Sequence, residues 1–497
     1  MTTVPDIDER FVTAIAERGF LLRPGSGGKV RCISVDGAPI PDDVREEIRA
    51  RRDELAAALA ARRVPLSFNQ ERIWFLHRLQ EGEGVGYNVP MAVHLRGRLD
   101  AEALRRALEL IVARHEVLRT RIVSGEDGPC QEVLPPAPVE LPAEAISRQA
   151  LDAELRREAA FRFDLEGGPL IRFRLFRVGA GEHVLVINQH HLTNDGWSLA
   201  LLARELETAY GALREGRMPA LAEPALQFAD FAEWERARVR GGRLEQLLAY
   251  WQEALAGASD VPMPTDSARP AVQQFAGRVH RFAIDRELAA RVGELARTSG
   301  STPYAILLTA FNVLLSRWSG ATDVVVGTPV ARRRHPALQT LFGFVANTVP
   351  LRTDLGGAPS FRELLARVAR AAVEADAHGD APFEAIVARV LRERDASRTP
   401  LFQHAFVYQD FAQQFLRIDL PGLETEVSFV DNGSSKFDLT LTLLAGEQSL
   451  AGELEYDSAL YRHETIVRLA RSFEVLLHDA LERPDQPVSA LAVIPEE

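Results

Sequence analysis

Two adjacent histidines, His190 and His191, with Asp195 and Gly196 shortly after them, are the residues whose types and spacing best suit chemistry. A neutral imidazole titrates near neutral pH and can take a proton from an amine or a hydroxyl group. An aspartate four residues after the second histidine can cap a helix or hold an imidazole in place. The pattern therefore indicates one of two things: a site at which a substrate loses a proton, or a buried histidine that is hydrogen-bonded for structural reasons.

The residues on either side of this motif predict a strand followed by a helix. Residues 183–189 form a largely apolar, β-branched run, which is typical of a buried strand. Large side chains recur at helical spacing after the motif, at Leu199, Leu202, Leu206, Tyr210 and Leu213. The histidines are therefore expected at a strand-to-helix corner, where imidazole nitrogens can face a cavity.

Length and composition narrow the class of protein. A chain of 497 residues is too long for one hydrophobic core, so two or three domains are expected. A second arrangement of helix and strand is predicted later in the chain. The helix spans residues 302–318, with Thr302 as its N-cap, and the strand spans residues 323–327. The formal charge of −12 argues against a nucleic-acid partner, which would need a basic surface.

The sequence also lacks the signals of several other classes. Cys32 and Cys130 cannot build a disulfide framework, and the acidic first residues do not form a secretory signal. No apolar run is long enough to cross a bilayer. The lack of a disulfide framework fits a reduced cytosol, so a cytoplasmic location is expected. No HExxH or paired CxxC spacing occurs, and adjacent histidines on a strand point to opposite faces. No metal is therefore expected.

Residues 190–196 resemble the HHxxxDG motif of nonribosomal peptide synthetase condensation domains, which belong to the chloramphenicol acetyltransferase-like superfamily. Further stretches are similar to that family's motifs in the same order, over about residues 65–490. The resemblance implies a mixed α/β fold with two chloramphenicol acetyltransferase-like lobes in a V-shaped pseudodimer, at residues 65–240 and 241–490. The similar stretches are 67–76 (SxxQxRxWxL), 114–120 (RHExLRT), 163–170, 227–234 (YxDYAxW), 327–333 (GTPVAxR), 343–348 (GFFVNT), 378–387 (HxDxPFExLV), 394–403 (RDxSRxPLFQ) and 436–439 (KFDL).

The resemblance implies separate roles for the residues of the histidine motif. His191 would orient or deprotonate an acceptor amine, while His190 packs or hydrogen-bonds behind it. Asp195 has two interpretations: it polarises His191 as in a triad, or it forms a buried ion pair that keeps the corner rigid. The resemblance favours the ion pair and gives Arg333 as the partner, although Arg332 and Arg334 stand beside it.

Three residues after Asp195 carry less specific expectations. Gly196 either lets a substrate approach N–H groups at a helix N-terminus or simply makes a tight turn. Trp197 is expected in the core. Ser198 either hydrogen-bonds the pantetheine arm of a carrier protein or caps the helix start.

Residues 1–62 differ from the remainder. A short helix, a hairpin around residues 24–28 and one further helix with Val44, Ile48, Leu55 and Leu59 on one face are predicted. This αββα pattern resembles the tubulysin-type N-terminal docking domains that capture the C-terminal tail of a preceding subunit. Arg49, Arg51 and Arg52 would bind an acidic tail, and Arg62-Arg63 would form the linker. The alternative is a solvated helix packed on its own hairpin. Because these residues lie outside every motif quoted above, residues 65–497 are expected to fold without them.

The implied activity is amide-bond formation between a donor thioester on an upstream carrier protein and an aminoacyl thioester on a downstream one. No cofactor would be bound by the chain itself, because phosphopantetheine arrives on the carriers. Residues 491–497 resemble the start of a linker to a downstream adenylation domain. Two alternatives stay open: an ester-forming or free-amine-accepting acyltransferase of the same fold, and a non-catalytic module that recruits carriers.

Overall fold

The computed structural model describes residues 9–25, 29–35, 37–61, 64–79, 85–125, 128–239, 242–391, 395–446 and 449–494. The predicted linker Arg62-Arg63 and the end of the predicted tail, residues 495–497, lie outside these ranges. Among the described residues, no helix is both long and apolar enough to cross a membrane.

The first helices and strands share a small hydrophobic core of their own. Helix α1 spans Glu9–Glu17, and a hairpin of β1 (Phe20–Gly25) and β2 (Lys29–Ser34) follows it. Helices α2 (Asp42–Ala50) and α3 (Arg52–Ala61) complete this segment. Its buried core consists of Val12, Ile15, Phe20, Leu22, Val44, Ile48, Leu55 and Leu59.

The prediction of a single helix after the hairpin is wrong, because two helices, α2 and α3, are present. The helical path breaks at Arg51, whose backbone angles are φ −111° and ψ 17°. In a continuous helix, residues three and four positions after Ile48 would share its buried face. Those positions are Arg51 and Arg52, and burying a guanidinium without a partner is costly. The break keeps both arginines exposed while Leu55 still reaches the core.

Strands and helices alternate through the rest of the chain. From residue 64 to residue 254 the elements are β3 (Val64–Pro65), α4 (Phe68–Leu79), β4 (Asn88–Gly97), α5 (Ala101–Arg114), β5 (Thr120–Gly125), β6 (Gly128–Val133), β7 (Ala143–Ala145), α6 (Arg148–Ala159), β8 (Ile171–Gly179), β9 (Glu182–His190), α7 (Gly196–Arg214), α8 (Phe228–Arg238) and α9 (Gly242–Ala254). They continue with β10 (Gly277–Ile284), α10 (Arg286–Ser299), α11 (Pro303–Ser319), β11 (Asp323–Val330), α12 (Pro336–Gln339), β12 (Asn347–Asp354), α13 (Phe361–Ala377), α14 (Phe383–Val390), β13 (His404–Gln409), α15 (Gln413–Leu416), β14 (Leu423–Phe429), β15 (Leu439–Ala445), β16 (Leu450–Asp457) and α16 (His463–Glu482).

The described chain divides into two compact units. The first contains the described residues up to Leu244 together with Arg333–Val345 and Gln414–Val430, and the second contains the remainder. The predicted division at residue 240 places both of these later stretches in the second lobe, whereas they group with the first unit. One reason is that β14 pairs with β4 along its whole length, from Leu423 opposite Gly97 to Phe429 opposite Met91.

The first unit places the histidine corner at the end of a central strand. Its main sheet has the order β14–β4–β9–β8–β7 among the described residues, so β9 has a strand on each side. The predicted strand at 183–189 is confirmed as β9, and the predicted helix is confirmed as α7. The five side chains chosen for helical spacing in α7 are all buried, and α7 packs against α5.

The second unit has its own sheet, in the order β10–β16–β15–β13–β11–β12 among the described residues. Helix α11 begins where predicted: the side chain of Thr302 accepts the N–H of Ala305, and Pro303 occupies the first helical position. The predicted strand at 323–327 is confirmed as the start of β11.

Candidate active site

The histidine motif forms a sharp corner between β9 and α7. His190 is the last residue of β9, and His191 begins a single 3₁₀ turn, His191–Thr193. The carbonyl oxygen of His190 accepts hydrogen bonds from Thr193 Oγ1 at 2.9 Å and from Asn194 Nδ2 at 3.2 Å. These side-chain bonds satisfy the backbone where the sheet ladder ends, so the corner has one defined shape.

His190 lies inside the first unit. His190 is 1% exposed, and its Nδ1 accepts the N–H of Leu192 at 3.3 Å. The ring packs edge-on against the rings of His77 and Phe163, with centroid distances of 5.7 and 6.0 Å. Burial lowers the pKa of His77 below its ordinary value, although Asp164 opposes the shift. His190 therefore sits among neutral rings, an environment suited to packing.

His191 lies against an aromatic ring and is only half-buried. Its imidazole centroid is 4.5 Å from the ring of Phe344, with 55° between the ring planes. Phe344 belongs to the stretch Arg333–Val345, which is remote in sequence but part of the same unit. The contact restricts rotation of the imidazole, as expected for a group that must meet a substrate in one orientation.

The carboxylate of Asp195 is held by several donors at once. It caps α7: Oδ1 accepts the N–H and the hydroxyl of Ser198, both at 2.9 Å. Arg333 Nη2 lies 2.9 Å from each carboxylate oxygen, and the N–H of Val345 donates to Oδ2 at 3.2 Å. Asp195 is 5% exposed. A carboxylate offers about four lone-pair positions, and these donors use that capacity.

Arg333 is the arginine that contacts Asp195. Its Nη1 donates to the carbonyls of Leu338 and Leu341 at 2.5 and 2.7 Å, and Nη2 donates to the carbonyl of Gly343 at 3.1 Å. The neighbouring Arg332 has φ +56°, and its Nε lies 3.3 Å from Asp380 Oδ1. The backbone turns at Arg332, and the two adjacent guanidinium groups contact different carboxylates: Arg332 contacts Asp380, and Arg333 contacts Asp195.

The surroundings of Ser198 do not fit the hydrogen bond to a pantetheine arm that was one of its two expected roles. Ser198 is fully buried, and its hydroxyl lies 2.9 Å from Asp195 Oδ1 and 3.0 Å from both the N–H and the carbonyl of Gly343. A hydroxyl with these partners and no exposure is not available to a phosphopantetheine arm. The helix-start interpretation fits this geometry.

Gly196 and Trp197 begin α7. Gly196 is the first helical residue and is half-buried. Trp197 is not a core residue as expected: it is only half-buried, and its indole N–H donates to the carbonyl of Gln339 at 2.7 Å. The guanidinium of Arg333 lies 5.9 Å from the centre of the indole ring. The polar edge of Trp197 therefore stays near the surface while its ring covers the ion pair.

Two residues that support the corner were not recognised from sequence. Gln70, in the opening motif, donates from Nε2 to the carbonyl of Leu192 at 3.2 Å. Gly343 packs so tightly that a Cβ atom there would lie 1.9 Å from the ring of Phe228, so only glycine fits. Both belong to stretches that matched family motifs, which was the available signal.

His115 is a buried residue whose ring contacts a carboxylate. It ends α5, and its Nε2 lies 2.8 Å from Glu205 Oε2, while Arg114 Nε lies 3.1 Å from the other oxygen. Burial would raise the pKa of Glu205, but the hydrogen bond and charge of His115 and the charge of Arg114 lower it. These contacts tie α5 to α7, the helix that Asp195 caps.

The arginines predicted to dock a partner are all on the surface. Arg49, Arg51 and Arg52 are exposed at the junction of α2 and α3. The guanidinium of Arg51 also lies 4.7 Å from the centre of the Phe11 ring, which holds that side chain over α1. Within the described ranges, no group of His, Cys, Asp and Glu is arranged to hold a metal ion.

Sequence comparisons place the chain near peptide synthetases. Residues 60–497 match the family described as Condensation domain, so the segment before residue 60 lies outside the match. Chondramide synthase cmdD from Chondromyces crocatus is 40% identical over 441 residues, which is 87% of this chain and 11% of that protein. Phosphinothricin tripeptide synthetase PhsC from Streptomyces viridochromogenes is 39% identical over 87% of this chain and 40% of its own length. The chain thus spans less than half the length of these relatives.

Solved structures agree on the fold. The X-domain from teicoplanin biosynthesis is 33% identical, with a TM-score of 0.79, over 87% of this chain and 98% of that one. The first condensation domain of the calcium-dependent antibiotic synthetase superimposes with a TM-score of 0.76 over 88% of this chain and all of that chain. At 24% identity, the second likeness concerns the fold alone.

Proposed function

The chain belongs to the condensation-domain family, and from that premise we propose that it forms an amide bond between two carrier-bound groups. The amine of an aminoacyl thioester on a downstream carrier attacks the carbonyl carbon of a donor thioester on an upstream carrier. The carbon–sulfur bond breaks, and the proton lost by the amine ends on the departing thiolate. Phosphopantetheine comes with the carriers.

The position of His191 carries this proposal. It opens the turn after β9, its ring is oriented by Phe344, and it remains partly exposed. An amine must be uncharged and aligned with the thioester carbonyl to react, and an imidazole at this corner can hold or take its proton. His190 is assigned to packing, because its ring faces His77 and Phe163.

Asp195 is assigned to the ion pair with Arg333 and not to a triad. Both carboxylate oxygens already accept hydrogen bonds from Arg333, Oδ1 also accepts from Ser198 at the start of α7, and Oδ2 also accepts from Val345. The pair connects the histidine turn to the stretch that carries Phe344, so it holds the imidazole and its neighbouring ring together. Gly196, at the N-terminus of α7, is assigned to close substrate approach, where backbone N–H groups favour developing negative charge.

The test uses intact-protein mass spectrometry of an acceptor carrier after mixing with a loaded donor carrier. His191→Ala should slow peptide transfer by a factor on the order of 10²–10⁴, the usual range for an acid–base group, with an unchanged melting temperature. His478→Ala is the matched control, because this histidine is 58% exposed on α16. Near-wild-type transfer by folded His191→Ala would remove His191 from the mechanism. An acceptor panel of amines, alcohols and free amino acids separates amide formation from the ester-forming and free-amine alternatives.

A second candidate function is recruitment of another protein. The teicoplanin X-domain, which this chain resembles, has been solved as a complex with OxyB. Recruitment predicts that the wild type and His191→Ala both transfer no peptide but bind the same partner. Transfer by the wild type that depends on His191 selects condensation.

The first sixty-odd residues are assigned to docking of a preceding subunit. They have their own core, and they lie before the family match. The exposed Arg49 and Arg52 supply positive charge for an acidic tail. Docking would raise the local concentration of the donor carrier to the order of mM.

Docking is tested with a fluorescent acidic peptide from the C-terminus of the preceding subunit. Charge reversal in Arg49→Glu with Arg52→Glu should weaken peptide binding, and added salt should weaken wild-type binding, because the charges are at the surface. Arg148→Glu is the matched control, since Arg148 is 72% exposed on α6 in the same unit. Binding that is equal in both variants and insensitive to salt would leave the segment as a structural appendage.

A further inference from the structure

The side-chain amide of Gln70 connects two distant parts of the first unit. Gln70 lies in the first turn of α4 and is 1% exposed. Its Oε1 accepts the N–H of Ser67 at 3.1 Å, and its Nε2 donates to the carbonyl of Leu192 at 3.2 Å. Because one partner is a backbone donor and the other a backbone acceptor, the amide has one satisfactory orientation.

The start of α4 fixes this amide from the other side as well. Ser67 is fully buried, and its hydroxyl oxygen accepts the N–H of Gln70 at 3.2 Å. The two residues thus cap the helix reciprocally. Leu66 and Ile73, on either side of the cap, pack in the same buried cluster as the side chain of Leu192. Gln70 therefore presents its donor from a rigid support.

Leu192 directly follows His191, and side chains hold both of its backbone groups. Its N–H donates to His190 Nδ1, and its carbonyl accepts from Gln70. The peptide planes that follow His191 are therefore held from two sides of the turn. A rotation of either plane would change the direction in which His191 points.

We infer that Gln70 is a positioning residue for His191. This inference rests on the proposed amide-forming function, and it adds a residue in the opening motif that acts on the reaction without touching substrate. Gln70 holds the 3₁₀ turn in the shape that aligns the imidazole with the acceptor amine. Misplacement of a reacting group by about 1 Å can reduce a rate by about 10²-fold.

The main test compares Gln70→Glu with Gln403→Glu. Glutamate in place of Gln70 keeps an acceptor for Ser67 but loses the donor to Leu192. Gln403 is the matched control: it is 3% exposed in the second unit, and its Nε2 donates to the carbonyl of Thr399 at 3.1 Å. Gln70→Glu should lower kcat for peptide transfer by about 10- to 100-fold and leave the KM values for both carriers unchanged. Gln403→Glu should leave kcat close to that of the wild type.

The pH dependence of kcat distinguishes a lost hydrogen bond to Leu192 from a general loss of folding. A protonated glutamic acid carries an O–H that can donate to Leu192. The kcat of Gln70→Glu relative to wild type should therefore rise as the pH falls towards the pKa of that buried carboxyl. If Gln70→Glu does not fold, Gln70→Met, which keeps the side-chain length, replaces it in the kcat and KM comparison.

Backbone hydrogen exchange separates failure of this inference from failure of the proposed function. If the wild type transfers no peptide, faster exchange at residues 191–195 in Gln70→Glu than in Gln403→Glu still supports the positioning role. Unchanged exchange at that turn, wild-type kcat in Gln70→Glu, or an equal kcat loss in both variants overturns it.

Discussion

Arg23 Nε lies 2.7 Å from Asp230 Oδ1, and this contact joins the hairpin of the first sixty residues to the start of α8. Asp230 is 4% exposed, and its Oδ2 accepts the N–H of Gln227 at 2.7 Å. Arg23 Nη2 also lies 2.9 Å from Glu116 Oε2. Both acidic partners belong to stretches that resemble condensation-domain motifs. These contacts attach the N-terminal segment by charge to the rest of the first unit, and the expectation that residues 65–497 fold without it stays a prediction.

Where Asp230 is ionised, Arg23→Met should destabilise the protein by up to about 3–5 kcal/mol, because it leaves a buried carboxylate without its cation. The expected result is a lower melting temperature in calorimetry, partly restored by Asp230→Asn in the double variant. Arg18→Met is the control, since Arg18 pairs with Asp43 at the exposed surface and should leave the melting temperature unchanged. A melting temperature unaffected by Arg23→Met would show that the segment is not anchored through Asp230.

The loss in Arg23→Met should depend on pH. Burial raises the pKa of Asp230 to about 7, although Arg23 opposes this shift. When the pKa of a carboxyl is higher in the folded state than in the unfolded state, ionisation of that carboxyl destabilises the fold. This penalty disappears at low pH, because the carboxyl is then protonated in both states. The difference between the wild type and Arg23→Met should therefore be largest above pH 7 and smaller at about pH 5.

Asp195→Ala should lower stability as well as activity, because it leaves Arg333 buried without its partner, at a cost of about 3–5 kcal/mol. The matched control is Asp285→Ala: Asp285 caps α10 through the N–H of Leu288 but pairs with no buried arginine among the described residues, so about 1 kcal/mol is expected. Adding Arg333→Met to Asp195→Ala should cost less than the sum of the single changes. Normal stability with a purely catalytic defect in Asp195→Ala would favour the triad instead.

Ser198→Ala should reduce the melting temperature and leave the KM for a loaded carrier unchanged. The hydroxyl is buried between Asp195 and Gly343, so its removal leaves the buried N–H of Gly343 without its acceptor, at about 1–3 kcal/mol. A raised KM with unchanged stability would instead indicate contact with the pantetheine arm.

Stability should also fall in acid because of His404 in β13. His404 is 1% exposed, and neither ring nitrogen has a hydrogen-bond partner in the part of the chain that the structure describes. Burial lowers its pKa to about 4, with Asp438 opposing and Arg269 adding to the shift. The unfolded chain then binds the proton more readily, so stability is full above about pH 6.5 and declines towards pH 4, by about 3 kcal/mol. His404→Gln should flatten this decline in pH-dependent unfolding, whereas the exposed His478→Gln should not.

The sequence alone was sufficient for the elements at the corner. An apolar run predicts β9, and helical spacing predicts α7, because these periodicities follow from local backbone geometry. The histidine motif marks their junction for the same local reason. The apolar residues of the N-terminal core were also recognisable, although the break at Arg51 was not, since it depends on what the rest of that face buries.

Only the tertiary structure decided which remote groups meet. Adjacent arginines have the same chemistry, so only the family resemblance pointed to Arg333; in the structure the backbone turns at Arg332, and Arg333 contacts Asp195. Other contacts also join residues that lie far apart in sequence. Gln70 donates to the carbonyl of Leu192, the hydroxyl of Ser198 contacts Gly343, and Arg23 pairs with Asp230. Local propensity carries no information about such partners, because packing of whole elements brings them within hydrogen-bond distance.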